Sequence, residues 1–127
     1  MDSKWIYLGR LTVFAPIATG SSQALSNGES LTSLKDWTLS KIVMDVSTVG
    51  TMSSTATMQL RTGNDVAVTA TMSPTANPQT EGTVVTKHEK MEAADVAAPF
   101  AVVVAGAAAS VDSGSWDVWG EFLPPVI

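Results

Sequence analysis

The chain has no cysteine, one histidine and one tyrosine among its 127 residues. Without Cys, neither a disulfide framework nor a thiolate metal site can form. Charge is scarce too: 15% of residues are Asp, Glu, Lys or Arg, against about 25% in an average soluble protein. The 7 basic residues face 12 acidic ones, for a net charge of −5. None of the basic residues lies beyond Lys90. A protein that binds nucleic acid neutralises phosphates, so no nucleic-acid partner is expected. Long apolar runs are missing as well. The longest, 96–109, is interrupted by Pro99 and Gly106 and falls short of the ~18 residues of a membrane span. Lys4 and Arg10 bracket only five residues, too few for the apolar stretch of a secretory signal. A soluble product made in the cytoplasm, with no membrane partner, is the expectation.

What is present instead is small and β-prone. The chain holds 29 hydroxylated residues (15 Thr and 14 Ser), 16 Ala and 15 Val. Ser and Thr compete with the helix for backbone hydrogen bonds, and β-branched side chains lose rotamers in it. The length fits one domain spanning 1–127, with an N-terminal arm at 1–4 and a tail at 123–127. Pro124 and Pro125 keep that tail out of regular structure.

Period-two alternation organises the rest. Residues 5–14 read as a first strand, with Trp5, Tyr7, Leu11 and Val13 on one face. Residues 15–33 carry Pro16, Gly20 and Asn27-Gly28 and read as a loop with room for one short strand. Residues 37–46 read as a second strand, with Ile42, Met44 and Val46 on one face and Trp37, Leu39 and Val43 on the other. A hairpin follows: Ala56, Met58 and Leu60 point in, Thr62-Gly63-Asn64-Asp65 turns, and Val66, Val68, Ala70 and Met72 return inward while Ala67 and Thr69 point out. Residues 74–82 read as a loop, 83–87 as a strand, 100–105 as a fully buried strand, 106–114 as a loop and 115–123 as the last strand. Residues 88–96 are adequate helix formers and allow one short helical segment, closed by Pro99. The sum is an all-β chain, an antiparallel β-sandwich, jelly-roll or Ig-like in connectivity, between which the spacing does not decide.

The residues offer little chemistry. His88 lies among Lys87, Glu89 and Lys90, and no G-x-S-x-G elbow or phosphate-cradling loop is present. A surface histidine is the expected reading, and the chain is not expected to be an enzyme. His88 and Glu92 are four apart, but two ligands do not make a zinc site. Asp112-Ser113-Gly114-Ser115 has turn chemistry and lacks the distal acid of a calcium loop. No metal and no other cofactor is expected.

The aromatics carry more. Trp116, Val118 and Phe122 share one face of the last strand, while Trp119 stands on the other between Asp117 and Glu121. A Trp among acids on a polar face reads equally as covered by its own domain or as an interface anchor. Trp5, Tyr7, Trp37, Trp119, Leu123, Val126 and Ile127 are the interface candidates. A flat platform of Trp37, Trp116 and Trp119 would instead suit a carbohydrate.

Ser54-Thr55-Ala56-Thr57-Met58-Gln59-Leu60-Arg61 running into Thr62-Gly63-Asn64-Asp65 resembles a hairpin of small virion proteins of tailed bacteriophages. Phe100-Ala101-Val102-Val103-Val104 followed by Ser115-Trp116-Asp117-Val118-Trp119 resembles their closing hairpin. The chain resembles the capsid cement, or decoration, proteins over residues 36–123. That resemblance implies a jelly-roll sandwich with no catalytic residues. It implies binding to the major capsid protein on the exterior of the virion capsid, as a homotrimer or homodimer that stabilises the head. A tail, neck or head-fibre component with the same fold is the alternative.

Overall fold

The structure is a computed structural model that describes residues 2–125, except 49, 53–55, 70–78, 83, 86–89 and 107–108. Its elements in chain order are β1 (Lys4–Val13), β2 (Ile17–Ala18), β3 (Ser22–Ala24), a 3-10 turn (Thr32–Leu34), β4 (Thr38–Thr48), β5 (Thr57–Arg61), β6 (Gln79–Gly82), α1 (Ala93–Val96), β7 (Ala101–Ala105), β8 (Ser110–Val111) and β9 (Gly114–Leu123). All strand pairings are antiparallel. One sheet runs in the order β1-β9-β4-β6, a second in the order β3-β7-β5, and β2 pairs with β8. The pairings nest: β1 with β9, β3 with β7 inside that, and β4 with β6 inside that again.

The fold is an all-β sandwich with a core drawn from the inner faces of both sheets. Leu11, Ile42, Met44, Trp116, Val118 and Phe122 come from the four-stranded sheet; Met58, Leu60, Val102 and Val104 come from the three-stranded one. At one end, Ile17 of β2 meets Val111 of β8. At the other, Trp37 and Met91 close the core, joined by backbone bonds from Met91 N to Trp37 O and from Asp36 N to Met91 O, each 2.8 Å.

Alternation identifies the faces of β5 and β9 correctly. Ala56, Met58 and Leu60 are buried, as are Trp116, Val118 and Phe122, while Trp119 is exposed. The turn after β5 also forms, with Asp65 at φ 61° and its amide bonded to the Thr62 carbonyl at 3.0 Å. The expected return strand differs. Val66 is 42% exposed, whereas Val68 and Thr69 are both buried. The Thr69 hydroxyl accepts the Leu60 amide at 3.0 Å, so a side chain takes a place in the ladder. Ala70 and Met72 lie outside the described residues.

Two bulges overturn the expected faces of β1 and β4. The β1–β9 register shifts between Tyr7 and Gly9. Trp5 and Tyr7 therefore share the outer face with Arg10 and Thr12, and Leu11 and Val13 turn into the core. A bulge inserts one residue, and one residue reverses a period of two. Gly9 stands in the bulge at φ 128°, where a Cβ would lie 2.8 Å from the Ser26 carbonyl oxygen. The same thing happens in β4, where the register shifts between Leu39 and Lys41. Leu39 consequently joins Ile42 and Met44 in the core, while Val43 stays on the outer face. Trp37, expected at an interface, is 8% exposed and part of the core.

Other elements refine the expectations. The expected loop at 74–82 ends in β6, the edge partner of β4. The expected strand at 83–87 is described only at Val84 and Val85, where Val84 bridges to Thr69. The stretch at 100–105 alternates instead of being fully buried: Phe100, Val102 and Val104 are buried, and Ala101, Val103 and Ala105 are half-buried. The loop at 15–33 holds two short strands and the 3-10 turn, and the loop at 106–114 holds β8. Helix α1 lies within the expected segment, fixed by a capping box between Glu92 and Asp95.

Candidate interaction surface

The outer face of the four-stranded sheet gathers most of the candidate residues. Along β9 the outward positions are Asp117, Trp119, Glu121 and Leu123. The register then puts Trp5 beside Glu121 and Tyr7 beside Trp119 from β1. From β4 it puts Lys41 beside Glu121, Val43 beside Trp119 and Asp45 beside Asp117. Trp5, Trp119 and Leu123 are 44%, 37% and 40% exposed, which leaves a large part of each free to contact a partner. Val43, directly across from Trp119, is buried even though it lies outside the core cluster.

Trp119 is anchored from the side. Its ring centroid is 4.9 Å from that of Tyr7, with the planes tilted by 49°. Such a pair contributes about 0.5–1.5 kcal/mol beyond its buried area. Tyr7 in turn donates its hydroxyl to Asp117 Oδ1. Arg10 grips the same carboxylate with two bonds, Nε to Oδ1 at 2.9 Å and Nη2 to Oδ2 at 3.0 Å. This planar, two-point geometry is the strong form of a surface ion pair.

The network shifts its ionisable groups. The Arg10 guanidinium bonded to Asp117 holds that carboxyl below the ordinary 3.8, with partial burial opposing and the Tyr7 hydroxyl assisting. Burial, followed by the hydrogen bond to Asp117, raises the Tyr7 phenol above 10.0. The bond to Asp117 likewise raises Arg10. At neutral pH the face therefore carries a fixed carboxylate, a fixed guanidinium and a neutral phenol.

Residues 25–29 line the free side of β1. Arg10 N donates to Ser26 O at 2.7 Å and Ser26 N to Arg10 O at 3.0 Å. Glu29 N donates to Tyr7 O at 2.9 Å, and Tyr7 N donates to the Glu29 carboxylate at 2.7 Å. Gly28 is needed for this approach, because a Cβ there would run into the Leu8 carbonyl. The effect is to bring Glu29 to the rim of an open depression of about 490 Å³ lined also by Tyr7, Arg10, Asp117 and Trp119.

Of the sequence candidates, Trp5, Tyr7, Trp119 and Leu123 come together on this face and Trp37 does not. Val126 and Ile127 lie outside the described residues, as do His88 and its neighbours 86–89. The platform of Trp37, Trp116 and Trp119 does not form: Trp116 is 2% exposed and Trp37 is part of the core, with the exposed Lys4 placing its Nζ 4.6 Å from the Trp37 ring centroid. Sequence reasoning missed Arg10 and Glu29. Arg10 becomes Asp117's partner only once the bulge is counted, and Glu29 arrives through a loop with no periodic signal. Phe14 was missed too; it is 92% exposed just past β1.

Among the described residues, no three His, Cys, Asp or Glu residues are grouped to hold a metal ion. No described helix is long and apolar enough to cross a membrane. The chain matches no protein-family model and no curated protein.

Proposed function

We propose that this chain is a structural virion protein of the cement type. In this reading it docks on the outside of a phage major capsid protein shell and stabilises the head. The observation that carries the reading is the outer sheet face, where Trp5, Tyr7, Trp119 and Leu123 converge from two neighbouring strands. Exposed aromatics on a rigid sheet, ringed by polar groups, have the composition of an interface centre and its rim. The nested strand pairing supports the jelly-roll expectation, because a jelly roll is a long hairpin wound into two sheets. The hairpin and closing-strand patterns named above supply the link to phage virion proteins. Docking through one sheet face leaves the rest of the surface free for self-association as a trimer or dimer. Many bound copies would slow capsomer separation and so raise the kinetic stability of the shell.

Mass analysis of purified particles tests this. A cement protein is present in proportion to the major capsid protein and protects heads against heat or chelator treatment. A copy number matching a single ring assigns the chain to the tail, neck or head fibre instead. Absence from particles ends both readings.

A further inference from the structure

The outer face also carries a charge pattern that specifies its partner. Among the residues with described side chains, four acids, Glu29, Asp45, Asp117 and Glu121, share it or its rim with two bases, Arg10 and Lys41. Arg10 and Asp117 are held to each other by two bonds and cancel, which leaves Glu29, Asp45 and Glu121 against Lys41. The whole chain leans the same way, at −5. Within the depression, two tilted rings stand beside two carboxylates that backbone and side-chain bonds hold in place. A ring face attracts a cation, and a fixed carboxylate accepts a planar fork of donors. The molecule shows both halves of this recognition internally: an ammonium over Trp37 and a guanidinium clasping Asp117.

We infer that the surface docking here is a basic protein surface that lays an arginine side chain against Trp119, with its guanidinium on the Glu29 carboxylate. This rests on the reading of the sheet face as a docking surface, and it names the chemistry of the partner. Arginine suits the site better than lysine, because its flat guanidinium both stacks on an indole and pairs with a carboxylate at two points. Complementary charge of this kind raises the association rate and fixes the register of docking.

The full chain, titrated with acetyl-Gly-Arg-Gly-amide and followed by amide and indole NMR shifts, tests the site without any capsid. Saturable shifts confined to Tyr7, Glu29 and the Trp119 indole are expected, screened by added salt. The lysine analogue binds more weakly and the glutamine analogue leaves the spectrum unchanged. Glu29→Gln weakens binding about fivefold, equivalent to about 1 kcal/mol. Trp119→Ala, at an exposed position, is the second variant and abolishes the localised shifts. Shifts spread over every exposed carboxylate, equal binding of the glutamine analogue, or no saturation would overturn the inference. So would glucose or galactose occupying the site in place of the arginine peptide, which would mark a carbohydrate surface. A negative titration leaves the particle copy number to decide the capsid reading by itself.

Discussion

Trp116 and Trp119 stand three residues apart on one strand and end in opposite environments. Trp116 is 2% exposed in the centre of the core, and Trp119 is 37% exposed on the far side of the same sheet. Both bring the same large apolar ring. One is surrounded by the inner faces of two sheets, while the other has Tyr7 and Val43 on either side and solvent above. The contrast shows that in this protein the investment in aromatics is split between holding the sandwich together and presenting a surface.

Substitution at the two tryptophans breaks the comparison most strongly. Trp116→Ala should lose about 3–5 kcal/mol of stability, read as a large fall in the denaturant midpoint or as failure to fold. Trp119→Ala should leave the midpoint within about 1 kcal/mol while costing at least about 2 kcal/mol of docking to capsids, measured by co-sedimentation. Equal stability losses at both sites would show that the outer face is structural and not a docking surface.

Gly9→Ala tests the bulge that separates the faces of β1. Its positive φ and the nearby Ser26 carbonyl predict a loss of about 1–3 kcal/mol, with the NMR shifts of Tyr7 and Arg10 disturbed. An unperturbed spectrum would mean that the bulge does not set the frame of the strand. Tyr7→Phe is milder. It keeps the ring against Trp119 and removes the bond to Asp117, for about 0.5–1.5 kcal/mol by chemical denaturation.

The smallest effect concerns acid. Asp117 has a depressed pKa, so the unfolded chain takes up its proton more readily than the folded one. Its contribution to stability is present above the ordinary carboxylate value of 3.8 and fades as pH falls through the lower folded value. Asp117→Asn should therefore flatten part of the acid limb of the stability curve. An unchanged limb would show that the Arg10 pair is energetically silent, as many exposed pairs are.

The class of fold could be read directly where alternation is unbroken. In β5 and β9 every second residue is apolar, and the faces follow. In β1 and β4 the same counting assigns the wrong face to residues on one side of each bulge. Nothing in composition marks the extra residue, apart from a glycine at position 9. The bulge in β1 lies where Arg10 exchanges backbone bonds with Ser26, a contact between segments that a period of two does not register.

The candidate surface was legible in the same uneven way. Trp119 among acids and Trp5 near the start of the chain were identifiable from their neighbours in sequence. Trp37 looked equivalent and is core, because the backbone bonds to Met91 fold it under the end of the sandwich. Arg10 and Glu29 carry no local signature, since each acquires its role from a partner far away in the chain.

By itself, then, the sequence determined that the chain forms antiparallel strands around an apolar core. Alternation, turn residues and the shortage of helix formers act over a few residues, and those are local forces. Tertiary structure alone decided, in β1 and β4, which residues on either side of the bulge became core and which became surface. Burial depends on what packs against a residue, and for β1 and β4 that was settled by bulges and by the loop at 25–29.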